Sequence, residues 1–322
     1  MTRLSHNQTG STSARRGPGS LAPHRPTVAQ LIEFGARAFE SAGLAYGHGT
    51  DNAIDDAAAL VFHVLDLRHE NAAHEYAQHP HADAVQRALD VFAARIEQRI
   101  PVAYLMGRMW FAGLEFMVDP RVIVPRSPFA ELIDARFAPW VEPGQVRRVL
   151  DIGTGSGCIA IACALQFPEA RVDAVDVSAT ALEVAAVNVA RHDVRDRVHL
   201  HRGDVFEPVH EQVYDVIVSN PPYVSDAEMA KLPQEYRYEP DVALRAGTDG
   251  LDVVRRILAG ARRHLAEQGA LFVEVGDSEE RVRQHWPRIP FTWLDFAHGG
   301  GGIFLLSRTE LDTHHAAFST TD

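Results

Sequence analysis

Val149-Leu150-Asp151-Ile152-Gly153-Thr154-Gly155-Ser156-Gly157-Cys158 is the stretch on which the fold turns. A mostly apolar run ends at Ile152, three glycines follow at alternate positions, and an Ala/Ile/Cys-rich segment begins at Cys158. Strand, glycine turn and helix in this order open a nucleotide-binding α/β sheet. The glycines let backbone approach a ligand, and the helix N-terminus presents free N–H groups to it. Gly155-Ser156-Gly157-Cys158-Ile159-Ala160 also satisfies the relaxed dinucleotide fingerprint, so the loop alone does not select the ligand.

The pattern repeats downstream. Strands are expected at 148–152, 171–177, 198–202, 213–219, 270–275, 291–296 and 303–307, with helices at 158–166, 179–191 and 251–266. Such alternation implies right-handed crossovers and a mostly parallel sheet covered on both faces. Only Ala297-His298-Gly299-Gly300-Gly301-Gly302 joins the last two strands. That is too short for a helical crossover, so they should pair antiparallel. The expectation is α/β: a Rossmann-like sheet of seven strands whose last strand is antiparallel.

Two acids at strand ends narrow the ligand. Asp176 closes the second strand, where it would accept hydrogen bonds from ribose hydroxyls. Asp204 closes the third, where it would accept from an adenine amino group. The apolar Val205 and Phe206 beside it would cover the ring. Together with Gly153, Thr154, Gly155 and Gly157 they fit S-adenosyl-L-methionine, released as S-adenosyl-L-homocysteine, better than a dinucleotide. That ligand has no pyrophosphate, and Asp151 would help balance its sulfonium charge.

The fourth strand runs through Val216-Ile217-Val218-Ser219 into Asn220-Pro221-Pro222-Tyr223. Neither proline can donate to a sheet ladder, and both stiffen the residues before them. Asn220 is therefore held at the carboxyl end of a strand, where ligands bind in open α/β sheets. The Asn220 side-chain carbonyl and the Pro221 backbone carbonyl can each accept one N–H of a planar amino group, while Tyr223 stacks on it. An amide nitrogen is a poor nucleophile, and the sequence shows no base strong enough to deprotonate it first. Positioning is the alternative source of rate. The acceptors hold the nitrogen more tightly as it becomes cationic, and its proton then leaves to water.

Upstream, helical periodicity fills 27–100, with a candidate N-cap at Thr27 and a glycine-punctuated loop at Tyr46-Gly47-His48-Gly49-Thr50-Asp51-Asn52. Leu114, Phe116 and Val118 alternate, as do Val122 and Val124. Asp119-Pro120-Arg121 reads as the turn of a hairpin between them, with Trp110 and Phe111 at its entrance. The expected organisation is a tail at 1–26, a helical substrate-recognition domain at 27–100 and a β-hairpin linker at 101–128. A catalytic domain at 129–310 and a C-terminal tail at 311–322 complete it.

Thirty-one basic residues stand against 43 acidic ones, a net charge of −12, which argues against a broad nucleic-acid surface. No apolar run approaches a membrane span of roughly 20 residues. Two cysteines, Cys158 and Cys163, make no disulfide framework and suit a reducing cytoplasm. His69-Glu70-Asn71-Ala72-Ala73-His74 misses the zinc-protease spacing by one residue, and no metal is expected.

Ser219-Asn220-Pro221-Pro222-Tyr223 with 151–157 resembles the class I S-adenosylmethionine-dependent methyltransferases that modify the amino groups of adenine, cytosine or glutamine. From about Thr27 to Ser307 the chain looks like the bacterial protein-glutamine methyltransferases. Tyr46 to Asn52, Arg99-Ile100-Pro101-Val102-Ala103-Tyr104-Leu105, Val124-Pro125-Arg126-Ser127-Pro128 and Leu232-Pro233-Gln234-Glu235-Tyr236-Arg237 resemble its ribosomal branch. That branch methylates a glutamine of large-subunit ribosomal protein three. The resemblance implies this protein as partner, before or during ribosome assembly, and implies that Phe111 walls the glutamine pocket. Where Val205 stands, the release-factor branch commonly has Trp, so Phe206 is expected to substitute as the aromatic cover. Methylation of a release-factor glutamine, or of a base flipped from a nucleic acid, remains open as an alternative target.

Overall fold

The computed structural model describes residues 25–67, 72–297 and 299–319. Residues 1–24 of the expected tail, and His69, Glu70 and Asn71, lie outside the described residues.

Among the described residues nine strands are present, named in chain order. β1 (Arg108–Phe111) and β2 (Leu114–Met117) form a hairpin. β3 (Arg148–Ile152), β4 (Arg171–Asp176), β5 (Val198–Arg202), β6 (Tyr214–Ser219), β7 (Leu265–Glu274), β8 (Thr292–Trp293) and β9 (Ile303–Ser307) build a seven-stranded sheet in the order β5-β4-β3-β6-β7-β9-β8. β3 to β7 pair parallel, and β9 inserts antiparallel to both β7 and β8. This is the doubly wound sheet that the sequence pattern implies.

Period-2 alternation sends each strand's residues to two cores. Val149, Val172, Val216, Val218 and Phe272 face the helices Phe129–Asp134 and Cys158–Gln166. Leu150, Ile152, Val175, Ile217 and Leu271 face the helices Asp252–His264 and Arg308–Phe318. With both faces covered, the strand ends are the natural place for a ligand, and β3, β4, β5 and β6 end side by side there.

Three sequence expectations need correcting. The hairpin does not turn at Asp119-Pro120-Arg121. It turns at Ala112 and Gly113, which both take positive φ (49° and 75°), the requirement of a two-residue primed turn. Val124 has no strand partner; its N–H donates instead to the Glu239 carboxylate at 3.0 Å. Residues 311–318 are not a tail but most of the helix Arg308–Phe318, opened by a Ser307–Glu310 capping box and anchored by buried Leu311 and Phe318. Finally, β7 starts at Leu265 rather than 270. The register with β6 shifts between Leu265 and Ala270, around Gly269, where a Cβ would lie 3.0 Å from the Asp215 carbonyl oxygen.

The helices Val28–Ser41, Ala53–Leu65 and Ala82–Glu97 pack around Leu31, Phe39, Leu60 and Phe92. Thr27 forms a capping box with Gln30, and Asn52 caps the second helix through the Asp55 N–H. Gly35 lies under the Phe92 ring, where a Cβ would come within 2.6 Å of it. Among the described residues no helix is long and apolar enough to cross a membrane.

Candidate active site

The glycine loop is shaped by Asp151 from below. That carboxylate is fully buried; it accepts from the Thr154 hydroxyl at 2.6 Å and from the Ala160 N–H at 3.1 Å. Burial pushes its pKa up to about 7. Its second oxygen, Oδ1, is buried without a hydrogen-bond partner. Gly153 (φ 74°), Gly155 (φ 54°) and Gly157 (φ 81°) sit in the left-handed region, as the loop's path requires. Gly153 and Thr154 donate to the Val175 carbonyl, and Ser219 Oγ donates to the Ile152 carbonyl at 2.8 Å, so neighbouring strand ends are clamped together.

Above this loop is a cleft of about 170 Å³ that opens to solvent. Ile152, Gly153, Gly155, Asp176, Gly203, Asp204, Val205, Asn220, Pro221 and Pro222 line it. Asp176 accepts from the Gly155 N–H at 2.9 Å and the Ser178 N–H at 2.8 Å, and burial raises its pKa. Those bonds leave lone pairs for ribose hydroxyls. Val177 and Val242 also line the cleft and are 46% and 53% exposed, an apolar surface of the kind an aromatic ring would cover. The residues present fit S-adenosylmethionine: a glycine cradle, an acid at the second strand end, exposed apolar walls and one orphaned carboxylate oxygen.

Several expected residues are placed differently. Thr154 and Gly157 brace the loop from within, and like Asp151 they are not part of the cleft lining. Asp204 does line it, but its carboxylate is shared with Arg256. Phe206 does not substitute as the ring cover. It stacks flat on His264 with centroids 4.4 Å apart, inside the core. The turn that brings Val205 into the cleft swings the next side chain inward. Val205 pays for this turn with a φ of 49°, uncommon for a β-branched residue. Phe111 is not on the cleft either; it packs on Phe116 in the core, because hairpin alternation sends Trp110 outward and Phe111 inward.

Asn220-Pro221-Pro222-Tyr223 separates two openings. The first three residues line the cleft just described, whereas Tyr223 lines a second opening with Pro128, Glu274, Gly276, Asp277, Glu279, Glu280 and Gly300 to Gly302. Tyr223 packs against Gly276, where a Cβ would lie 2.8 Å from its ring, and its carbonyl accepts from Ser278 Oγ. Burial pushes the Tyr223 hydroxyl above its usual range, so it is a neutral phenol. Its neighbour Glu274 is 4% exposed, accepts from Ser127 Oγ and stands beside Asn220, because Ser219 and Val273 pair where β6 and β7 end. Sequence reasoning missed Glu274. Its signal was an acid as the last residue of an otherwise apolar strand, Leu271-Phe272-Val273-Glu274. It missed Asn188 as well, which donates to the Met117 and Ser156 carbonyls and accepts from the Met117 N–H, tying β2 to the glycine loop.

The segment after the tetrapeptide reaches back to the N-terminal helices. Glu235 accepts from the Ala45 N–H at 3.0 Å and pairs with Arg99 at 3.3 Å; the buried Arg95 lies 3.7 Å away and bonds Asp56. Glu239, also buried, binds the Arg126 guanidinium through both oxygens. Tyr236 lies between Arg126 and His48, its ring 4.3 Å from the imidazole. His48 is 4% exposed and 3.9 Å from Glu239, yet burial outweighs that attraction and holds its pKa down to about 4.

A family model described as "Methyltransferase small domain" matches residues 137–235. A Bordetella pertussis protein named "Ribosomal protein uL3 glutamine methyltransferase" is 48% identical over 294 residues, covering 89% of this chain and 97% of that protein. A Xanthomonas campestris pv. campestris protein of the same name is 47% identical over 291 residues, covering 90% and 94%.

Proposed function

The chain belongs to the ribosomal protein uL3 glutamine methyltransferase family, and from that premise we propose that it methylates a side-chain amide nitrogen of a glutamine in uL3, before or during ribosome assembly in the cytoplasm. The observation that carries this reading is the position of Asn220 on the boundary between a donor-shaped cleft and a second, acidic opening.

S-adenosylmethionine supplies an electrophilic methyl carbon on a sulfonium sulfur. Gly153 and Gly155 would admit the ligand backbone-close, Asp176 would accept from its ribose, and Val177, Val205 and Val242 would offer apolar contact to its ring. Asp151 Oδ1 lies beneath as an acceptor. At the boundary of the cleft, Asn220 Oδ1 and the Pro221 carbonyl would accept the two N–H groups of the glutamine amide and aim its lone pair, with Tyr223 as a wall on the side of the second opening. Transfer would form the C–N bond as the methyl leaves its sulfur, releasing S-adenosyl-L-homocysteine, and the amide nitrogen would then lose a proton to water. Each acceptor gains strength as positive charge develops on that nitrogen, which stabilises the transition state more than the ground state. Glu274, Asp277, Glu279 and Glu280 around the second opening suit a basic ribosomal protein.

The test is to incubate the protein with labelled donor and a lysate containing ribosome precursors, then locate the label by mass spectrometry. Label on a uL3 glutamine is expected. Label on a release factor or on a nucleobase would replace this reading.

A further inference from the structure

We propose that Glu274 is the positioning residue that fixes the orientation of the Asn220 side-chain amide, an inference that rests on the glutamine-methylation reading above. Glu274 is the last residue of β7, beside the end of β6, and is 4% exposed. A buried carboxylate is costly, and the β-sheet gains nothing from it. Its Oε2 accepts from the Ser127 hydroxyl, and the pairing of Ser219 with Val273 sets Glu274 beside Asn220 at the ends of neighbouring strands. The Arg126 guanidinium nearby is engaged through two bonds with Glu239, so Glu274 makes no bidentate pair with it.

An asparagine amide has an oxygen and an NH₂ of nearly equal size, and the two can exchange by a half-turn. Transfer requires the oxygen to face the incoming glutamine N–H. An ionised carboxylate is an acceptor only. It therefore takes the Asn220 Nδ2–H and leaves Oδ1 on the substrate side. A protonated Glu274 would donate to Oδ1 and present the NH₂ to the substrate, where it repels the N–H it should receive. The ionised form also polarises the amide, strengthening Oδ1 as the methylated nitrogen turns cationic.

The groups facing Glu274 are Arg126 and Ser127 from the linker, Asn220 and Tyr223 after β6, and Asp277, Glu279 and Glu280 beyond its own strand. Burial pushes its pKa up to about 7, against the attraction of Arg126. The switch between the two amide orientations therefore falls inside the working pH range.

The experiment is the pH dependence of kcat for the full-length protein and for Glu274→Gln, at saturating donor and uL3, with donor Kd from calorimetry. The wild type is expected to gain activity with rising pH, with a midpoint near 7, and to level off above it. The variant should lose roughly 10–100-fold on the plateau, show no rise through that range, and keep its donor Kd within about twofold. A variant with the wild-type plateau, or with the wild-type rise intact, overturns the inference, as does a parallel loss of donor affinity. Should Glu274→Gln not fold, Ser127→Ala removes one donor to the carboxylate and should move the rise to higher pH; an unmoved rise is equally fatal. A wild type that leaves uL3 unmodified faults the proposed function instead.

Discussion

Asn220 has the β6 ladder behind it and two prolines ahead, with Glu274 next to it at the end of the neighbouring strand. Its rigidity is what makes a static acceptor useful, since catalysis by positioning fails if the group is free to rotate. We expect Asn220→Ala to cut kcat by about 10³-fold, the scale for removing one preorganised hydrogen bond where charge develops. Donor Kd should change by less than about twofold in calorimetry. A variant with near-normal kcat would exclude Asn220 from the transfer step. The Asn-Pro-Pro-Tyr unit, the glycines and Asp176 were legible in the sequence because strand ends and φ-restricted residues are local signals. Glu274 was not, since its place beside Asn220 depends on which strands are neighbours. Phe206 misled for a related reason: adjacency to Val205 says nothing about which of two successive side chains turns inward.

The elements were easier to foresee than their pairing. β3 to β7 followed from apolar runs closed by glycine or acid, and their parallel order from the helices between them. The hairpin did not, because its turn is Ala112-Gly113 rather than a dipeptide with an obvious positive-φ preference. An alanine at φ 49° carries a cost of about 1 kcal/mol that Asn, which tolerates this conformation, largely avoids. Ala112→Asn should therefore raise Tm by about 2 °C, read by calorimetry, without altering the uL3 methylation rate. A lower Tm would mean that the turn is held by something other than its own backbone. The false turn at Asp119 was persuasive because 122–124 is extended and apolar. It is extended to reach the Glu239 carboxylate, a partner 115 positions away that no local pattern reveals.

At the scale of the whole molecule, buried charge joins the N-terminal helices to the sheet domain, through Glu235, Glu239, Arg95, Arg99 and Arg126. His48 sits among them with its pKa held at about 4, below the ordinary imidazole value of about 6.5. Between those values the unfolded chain binds a proton that the native chain refuses. The stabilisation is complete above about pH 6.5 and is lost as pH falls toward 4. Asp151 and Glu274, with raised pKa values, act in the opposite sense over this range, so the comparison must be made between variants. From pH 6.5 to 5 the wild type should lose up to about 2 kcal/mol more unfolding free energy than His48→Gln. Parallel denaturation curves would show that His48 is not the acid-sensitive group. The two openings on either side of Asn220-Pro221-Pro222-Tyr223 share no lining residue. Neither molecule has to vacate its seat for the other to arrive. On the proposed reading, with the donor in one opening and the glutamine arriving by the other, a methylated protein would be free to depart while the spent nucleoside is still inside.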